Sequence, residues 1–196
     1  QTISQSAGKY VDYIINSGSK VTLGANFAIG GTATKNTAMF TVKSGGTLDC
    51  QTYSLQNYLS NISTKLTVSS GSTLITANAY GISSLGLAGS VQLTTSSFSS
   101  GANYIYDGSS SQITGVFTTT PTANTVANLT INNAAGVTLS QNLAVNGTLT
   151  LTDGVLSTTP LLAVITVNAG AGVTGVSDYS FVDGPITKIG NTAFTF

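Results

Sequence analysis

Short segments in which apolar residues alternate with polar ones recur along the chain, and most of them flank a glycine-containing turn. Leu66-Thr67-Val68 and Leu129-Thr130-Ile131 show this alternation, which is typical of strands with one buried face. Full copies of the unit cover 14–23, 40–50, 66–76, 129–139 and 165–175, a degenerate copy covers 98–106, and a shortened copy covers 143–151. Self-similar units of this size predict a repeat architecture.

The spacing of the turn glycines predicts the length of each coil. These glycines lie at positions 18, 45, 71, 101, 136, 147 and 170, so the steps are 27, 26, 30, 35, 11 and 23 residues. Since every unit is composed of strands only, we predict an all-β fold, a parallel β-helix (β-solenoid) with irregular coils of roughly 20–30 residues. One face of each strand then lines a narrow core.

The apolar phase of each strand predicts which side chains point inward. The expected core positions are Val42, Leu48, Leu66, Val68, Leu74, Leu129, Ile131, Val137, Leu139, Val145, Leu149, Ile165 and Val167. Finding most of this set exposed to solvent would reject the solenoid phase.

No segment predicts a helix. The best candidate covers 78–87, but Gly81 and Gly86 interrupt it, and we interpret it as a loop between coils. The polar stretch 118–128, which contains Pro121, predicts an excursion between coils or a weak joint. We therefore expect residues 1–196 to form a single solenoid unit, part of a longer chain.

The composition limits the function more than it limits the fold. Only 6% of the residues are charged, against about 25% in ordinary domains, and the net charge is zero. A field that attracts nucleic acid or an anionic membrane is therefore not expected. The hydrophobic content of 41% can still support a core, and no apolar run is long enough to predict membrane insertion.

The chain is poor in the residues that carry catalysis. It has no His, which is the commonest general base and zinc ligand, and its six basic residues are all Lys. Its six acidic residues are all Asp, which leaves a two-carboxylate glycosidase as the serious enzymatic alternative. We expect no catalytic residue, no cofactor and no metal ion.

Three of the aspartates lie in Asp-Gly pairs, which are first of all a turn signal. The pairs are Asp107-Gly108, Asp153-Gly154 and Asp183-Gly184. A calcium loop needs several oxygen-bearing side chains at short spacing, yet no two Asp are closer than Asp178 and Asp183. We interpret the pairs as turns.

Two further features have a structural and a functional interpretation. Cys50 shares the strand phase of Leu48, which favours an inert buried thiol over an exposed thiol that forms an intermolecular disulfide. Tyr104 and Tyr106 share a face, and we favour a place in the core over a sugar-stacking surface.

The run Thr148-Leu149-Thr150-Leu151-Thr152 puts alternate threonines on one face, as in ice-binding solenoids. An ice-binding face would repeat this ladder on successive coils. The other units each carry one outward threonine, so a generally threonine-rich surface is the favoured interpretation.

The sequences of the repeats resemble those of the very large secreted repeat proteins of Bacteroidetes. The segments that carry the resemblance are FTVKSGGTLDC, LTVSSGSTLITANAYGI, FSSGANYIYDGSSSQITG, the run 122–159, and YSFVDGPITKIGNTAFTF. The resemblance implies β-solenoid stretches of adhesin-like surface proteins that are exported by type IX secretion. It also implies localisation outside the cell or on the outer membrane of a Gram-negative bacterium, with more chain after Phe196. Gln1 is then either a mature N-terminus after signal-peptide removal or part of an internal fragment.

These observations favour a structural or adhesive module that acts as a rigid stalk or surface-contact element. The alternatives are a polysaccharide-acting β-helix enzyme or carbohydrate-binding module, and an ice-binding solenoid. Apolar residues in 186–189 and 193–196, with no polar helix after them, predict an uncapped C-terminal edge. We expect that edge to be covered by more of the same chain or by self-association, and surface glycans are the other candidate partner.

Overall fold

The computed structural model describes residues 12–30, 37–58, 63–83, 88–120, 124–158 and 163–191. These ranges form 23 strands and no helix. The strands stack in parallel as a β-solenoid of about six turns, which confirms the predicted fold class.

The strands follow one another coil by coil along the chain. The first three coils contain β1 (Tyr13–Ile15), β2 (Lys20–Thr22), β3 (Phe27–Ile29), β4 (Thr37–Val42), β5 (Thr47–Asp49), β6 (Leu55–Asn57), β7 (Ser63–Val68), β8 (Thr73–Thr76) and β9 (Val91–Gln92). The next two contain β10 (Thr95–Ser99), β11 (Asn103–Tyr106), β12 (Gln112–Ile113), β13 (Thr119–Thr120), β14 (Thr125–Val126), β15 (Asn128–Asn132) and β16 (Val137–Thr138). The last strands are β17 (Leu143–Val145), β18 (Thr148–Asp153), β19 (Leu156–Ser157), β20 (Ile165–Val167), β21 (Gly172–Thr174), β22 (Val182–Asp183) and β23 (Ile186–Lys188).

One seven-stranded sheet runs through the whole stack, in the order β2-β5-β8-β11-β15-β18-β21, and we call it the long sheet. The strand before it in each coil belongs to the first entry sheet (β1-β4-β7-β10-β13) or the second entry sheet (β14-β17-β20-β23). The strand after it belongs to the first exit sheet (β3-β6-β9) or the second exit sheet (β12-β16-β19-β22). At about 4.8 Å per strand, the long sheet extends about 29 Å along the solenoid axis.

Alternation along the strands sorts the side chains between core and surface. All thirteen predicted core residues are at most 2% exposed, so the predicted strand phase is confirmed. In the long sheet the inward column includes Leu48, Leu74, Tyr104 and Leu129, which are hydrogen-bonded neighbours on successive coils. Burying such columns provides the main driving force for folding, at about 25 cal/mol per Å² of apolar surface.

The register of the long sheet corrects part of the predicted spacing. Lys20, Thr47, Thr73 and Asn103 pair in turn, which confirms the first steps of 27, 26 and 30 residues. The predicted steps of 35 and 11 residues are wrong, because Gly136 lies between the long sheet and the second exit sheet, at a different corner. The segment 129–139 therefore spans different sheets from 40–50, although the two look alike in sequence.

Glycine is required at the corner between the first entry sheet and the long sheet. Gly45 has a φ of +73°, in the left-handed region where a side chain causes strain. A Cβ atom there would also lie 2.5 Å from the Ser17 Oγ of the coil below. Gly71 stands in the same relation to Ser44, so this Ser-Gly corner repeats with the coils.

In the middle of the stack, the first entry and exit sheets end and the second entry and exit sheets begin. At the exit side, Gly81 and Gly115 pack backbone to backbone, and a Cβ on either would collide with carbonyl groups of the other segment. Buried Gln112 begins the second exit sheet, and its amide binds the carbonyls of Thr76 and Asn78 at 3.1 and 3.0 Å. The long sheet continues past the polar stretch 118–128, where a weak joint stays a prediction.

Candidate functional site

The outer face of the long sheet is the largest regular surface that the strands provide. Two columns of side chains point outward from it. The first column contains Lys20, Thr47, Thr73, Asn103, Asn128, Thr148 and Gly172. The second column contains Thr22, Asp49, Ile75, Ile105, Thr130, Thr150 and Thr174. Hydroxyl and amide groups therefore dominate this face.

The threonine pair Thr148 and Thr150 does not recur on the neighbouring coils. Asn128 and Gly172 flank Thr148 in its column, whereas Thr130 and Thr174 continue the column of Thr150. Around this pair, the strands therefore offer an ice-binding face one column of three threonines, Thr130, Thr150 and Thr174.

One charged pair lies on this face near the N-terminal end. The Lys20 Nζ lies 2.8 Å from the Asp49 Oδ2, and the side chains are 54% and 3% exposed respectively. The other carboxylate oxygen accepts hydrogen bonds from the Gln51 backbone N–H at 3.1 Å and from its side-chain amide at 2.8 Å. Asp49 is thus buried but fully partnered, which is the arrangement that a buried charge requires.

Asp107 follows β11 on the same side of the solenoid. Its Oδ1 is buried and has no hydrogen-bond partner in the described part of the chain. Burial raises the pKa of Asp107, nearby Asp49 raises this pKa further, and Lys20 opposes the change. The group therefore favours its neutral form more than an exposed aspartate does.

The other two Asp-Gly pairs lie where strands end. Asp153 is the last residue of β18 and Asp183 the last of β22, and both are exposed. Gly154 and Gly184 follow with φ values of +80° and +116°. A bend in the left-handed region explains the glycines, in line with the turn interpretation.

The six carboxylates are not gathered into one centre. Within the ranges that the structure describes, no three His, Cys, Asp or Glu side chains form a group that could hold a metal ion. Nor does any described segment form a helix long and apolar enough to cross a membrane.

Cys50 is buried in the core, as its strand phase predicts. Burial, with a contribution from the Asp49 charge, raises the pKa of Cys50 to about 12, while a hydrogen bond with Ser90 lowers it. The thiol is therefore neutral and inaccessible, which argues against an intermolecular disulfide.

The predicted place of Tyr104 and Tyr106 in the core is also confirmed. Both are fully buried, and their hydroxyls donate to the carbonyls of Ser99 and Thr114. Tyr104 packs against Phe117 with ring centroids 5.3 Å apart. Neither ring can stack on a sugar.

Exposed aromatic residues occur instead in loops that the alternation does not cover. Tyr179 is 82% exposed, in the loop 175–181 between β21 and β22, with Val176 and Phe181 also exposed. The loop is held by paired backbone bonds between Ser177 and Ser180, and the buried Ser180 hydroxyl donates to the Gly154 carbonyl. A single exposed tyrosine has no periodic signal, so no pattern in the sequence identifies it.

The predicted C-terminal edge is described only in part. Residues 193–196 lie outside the described residues. In β23, Ile186 is partly buried against the core and Ile189, just after it, is exposed. Lys188 lies between them, and its contacts were not predicted from the sequence.

Comparisons of the chain with protein-family models, with curated proteins and with solved structures found no match.

Proposed function

We propose that the chain is a structural and surface-contact module of a secreted or cell-surface repeat protein. The observation that carries the proposal is the long sheet, in which seven parallel strands from successive coils are hydrogen-bonded to one another over one core. Because these hydrogen bonds run along the solenoid axis, each coil is held by the next, and the stack resists bending.

The outer faces support a contact role that depends on many weak interactions. Thr130, Thr150 and Asn128 present uncharged polar groups at regular spacing, and Tyr179 offers an exposed ring. Hydroxyl, amide and aromatic groups suit neutral glycans, and multiple weak contacts add up when a surface presents many copies of a ligand. Surface glycans are therefore the partner class that we propose.

A polysaccharide-acting enzyme is less well supported. Asp49 is engaged by Lys20 and Gln51, and Asp153 and Asp183 end strands at bends. A glycosidase needs two carboxyl groups facing one bond at a separation of about 5–10 Å, in a site that binds the sugar. We propose that the module has no catalytic centre.

Export by type IX secretion rests on the resemblance of the repeats to secreted proteins of Bacteroidetes. The net charge of zero, with Lys20 and Asp49 paired to each other on the outer face of the long sheet, supports a partner that is neither nucleic acid nor an anionic membrane.

A retention assay on immobilised plant, algal and bacterial polysaccharides tests the contact role. We expect the full chain to be retained without releasing sugar, Tyr179→Ala to lower retention, and Tyr58→Ala, another exposed tyrosine, to leave it unchanged. Turnover that disappears on an Asp→Asn substitution would promote the enzyme, and ice-growth inhibition that is lost with Thr150→Ala would promote the ice-binding alternative. Lack of retention on every surface would remove the contact role and leave only the stalk.

A further inference from the structure

Lys188 occupies a position in β23 that belongs to the core. In the second entry sheet it pairs with Val167, which pairs with Val145, which pairs with Val126. The three valines are fully buried, whereas Lys188 is half-buried. A lysine thus interrupts an apolar column that the three preceding coils maintain.

The Lys188 ammonium is fully hydrogen-bonded by backbone carbonyls. Its Nζ lies 3.0 Å from the Asn168 carbonyl oxygen, 3.0 Å from that of Ala171 and 3.2 Å from that of Ile189. A lysine ammonium has three donors, and here each has an acceptor. The side chain therefore bends from the core column over the corner that precedes β21.

The Ala171 carbonyl belongs to a column that joins successive coils. In each of the six lower coils, the residue just before the strand of the long sheet has a carbonyl that accepts a hydrogen bond from a backbone N–H of the coil above. These acceptors are Ser19, Gly46, Ser72, Ala102, Ala127 and Gly147. The N···O distances range from 2.7 to 3.0 Å. Among the described residues, the donor to the Ala171 carbonyl is the Lys188 ammonium, which takes the position that a backbone N–H of the coil above takes at the lower corners.

We infer that Lys188 caps the C-terminal end of the long sheet as the described residues form it, by satisfying its corner carbonyl and by ending the apolar column of the second entry sheet. Edge strands present unpaired backbone groups that recruit other chains, and inward-pointing charged residues are one way in which proteins prevent this. A further coil stacked in the same register would have to displace the ammonium and leave it near an apolar core, which is unfavourable.

The inference goes beyond the proposed function and limits the association predicted from the sequence. A partner at this end, whether more of the chain or a second copy, finds the corner beside β21 and β23 occupied. The edge of β22 in the second exit sheet has no such lysine, so a partner would have to pair there or move Lys188. Neither the proposed stalk role nor the proposed contact with glycans depends on this cap.

Replacing Lys188 with methionine tests the cap, because methionine is similarly long but carries no donor and no charge. Lys43→Met is the matched control, since Lys43 is exposed just after β4 and makes no side-chain hydrogen bond within the described residues. Sedimentation of the full chain over a range of concentrations, with circular dichroism to show that each variant is folded, measures self-association. We expect Lys188→Met to associate about tenfold more tightly or more than the wild type, and Lys43→Met to match the wild type. A Lys188→Met chain that associates no more than the wild type overturns the inference.

Acetylation of lysines in the wild-type chain gives a second test that needs no folded variant. Reaction at each lysine is followed by peptide mass spectrometry under native conditions. An ammonium engaged by three carbonyls should react several-fold more slowly at Lys188 than at Lys43 or Lys65, both of which are exposed. Equal rates at the three sites would mean that Lys188 is free and does not cap the edge.

Discussion

The Lys20 ammonium contacts the Asp49 carboxylate at 2.8 Å across the first two coils, and this pair joins an exposed cation to a buried anion. The register places Lys20 beside Thr47, two residues before Asp49 on the same outward face. The lysine side chain therefore crosses diagonally between coils.

Removing the cation should leave the buried Asp49 charge without its strongest partner. We expect Lys20→Met to lower the free energy of unfolding by about 1–3 kcal/mol, because one buried carboxylate oxygen of Asp49 loses its donor while the other keeps those of Gln51. Lys43→Met, in which the lysine has no such partner among the described residues, should change it by less than about 0.5 kcal/mol. Urea titration of the three proteins makes the comparison, and equal effects of the two substitutions would mean that the pair contributes nothing.

Core truncation should be costly only at inward positions. Ile131 is fully buried in β15, whereas Ile14 in β1 is 52% exposed. Ile131→Ala should cost about 2–5 kcal/mol of unfolding free energy because it leaves a cavity, and Ile14→Ala should cost much less. Urea denaturation measures both. Similar losses at the two positions would show that the assigned strand phase is incorrect.

The alternation of the strands was sufficient to predict the fold and the core, because every inward residue of a solenoid faces the same axis. It was not sufficient to identify the corners. Gly136 follows an alternating strand just as Gly45 does, but Leu129 pairs with Tyr104 in the long sheet, and only this pairing shows which corner follows. Local sequence does not encode which sheet a strand joins.

The contacts of single residues likewise could not be predicted from the sequence. Lys188 looks like an ordinary strand residue until the register puts it in the column of Val167. Tyr179 lies in a loop, where no periodicity reports exposure. By contrast, Cys50 and Tyr104 lie on strands, and their burial followed from the phase of their neighbours.

The Cys50 thiol should be unreactive in the folded protein. Its side chain is buried, and its pKa is raised to about 12, so almost no thiolate is present at neutral pH. We expect iodoacetamide to modify Cys50 only after denaturation. Rapid labelling of the native chain, followed by mass spectrometry, would contradict this and reopen the possibility of an intermolecular disulfide.

Asp107 should make stability depend on pH in a defined direction. Because the pKa of Asp107 is raised in the folded state, the folded chain keeps a proton that the unfolded chain loses above about pH 4. Stability is therefore expected to fall as pH rises from that value through the folded-state pKa, and to remain lower above it. Asp107→Asn should remove this dependence.

The matched control for that experiment is Asp153→Asn, which changes an exposed aspartate in another Asp-Gly pair. Thermal unfolding from pH 4 to pH 8 is the measurement. If Asp107→Asn leaves the pH profile as it is in the wild type, the buried oxygen of Asp107 has a partner, and the raised pKa is not a property of the folded chain.

Pulling on the full chain by its two ends in a single-molecule force experiment tests most directly whether the stacked coils form a rigid structural element. We expect no lengthening at low force, followed by abrupt steps that each release one or more coils. A coil of 27 residues, such as the one from Lys20 to Thr47, would add about 90 Å. Smooth lengthening from the lowest forces, as in a flexible linker, would contradict the proposal that this chain is a stalk.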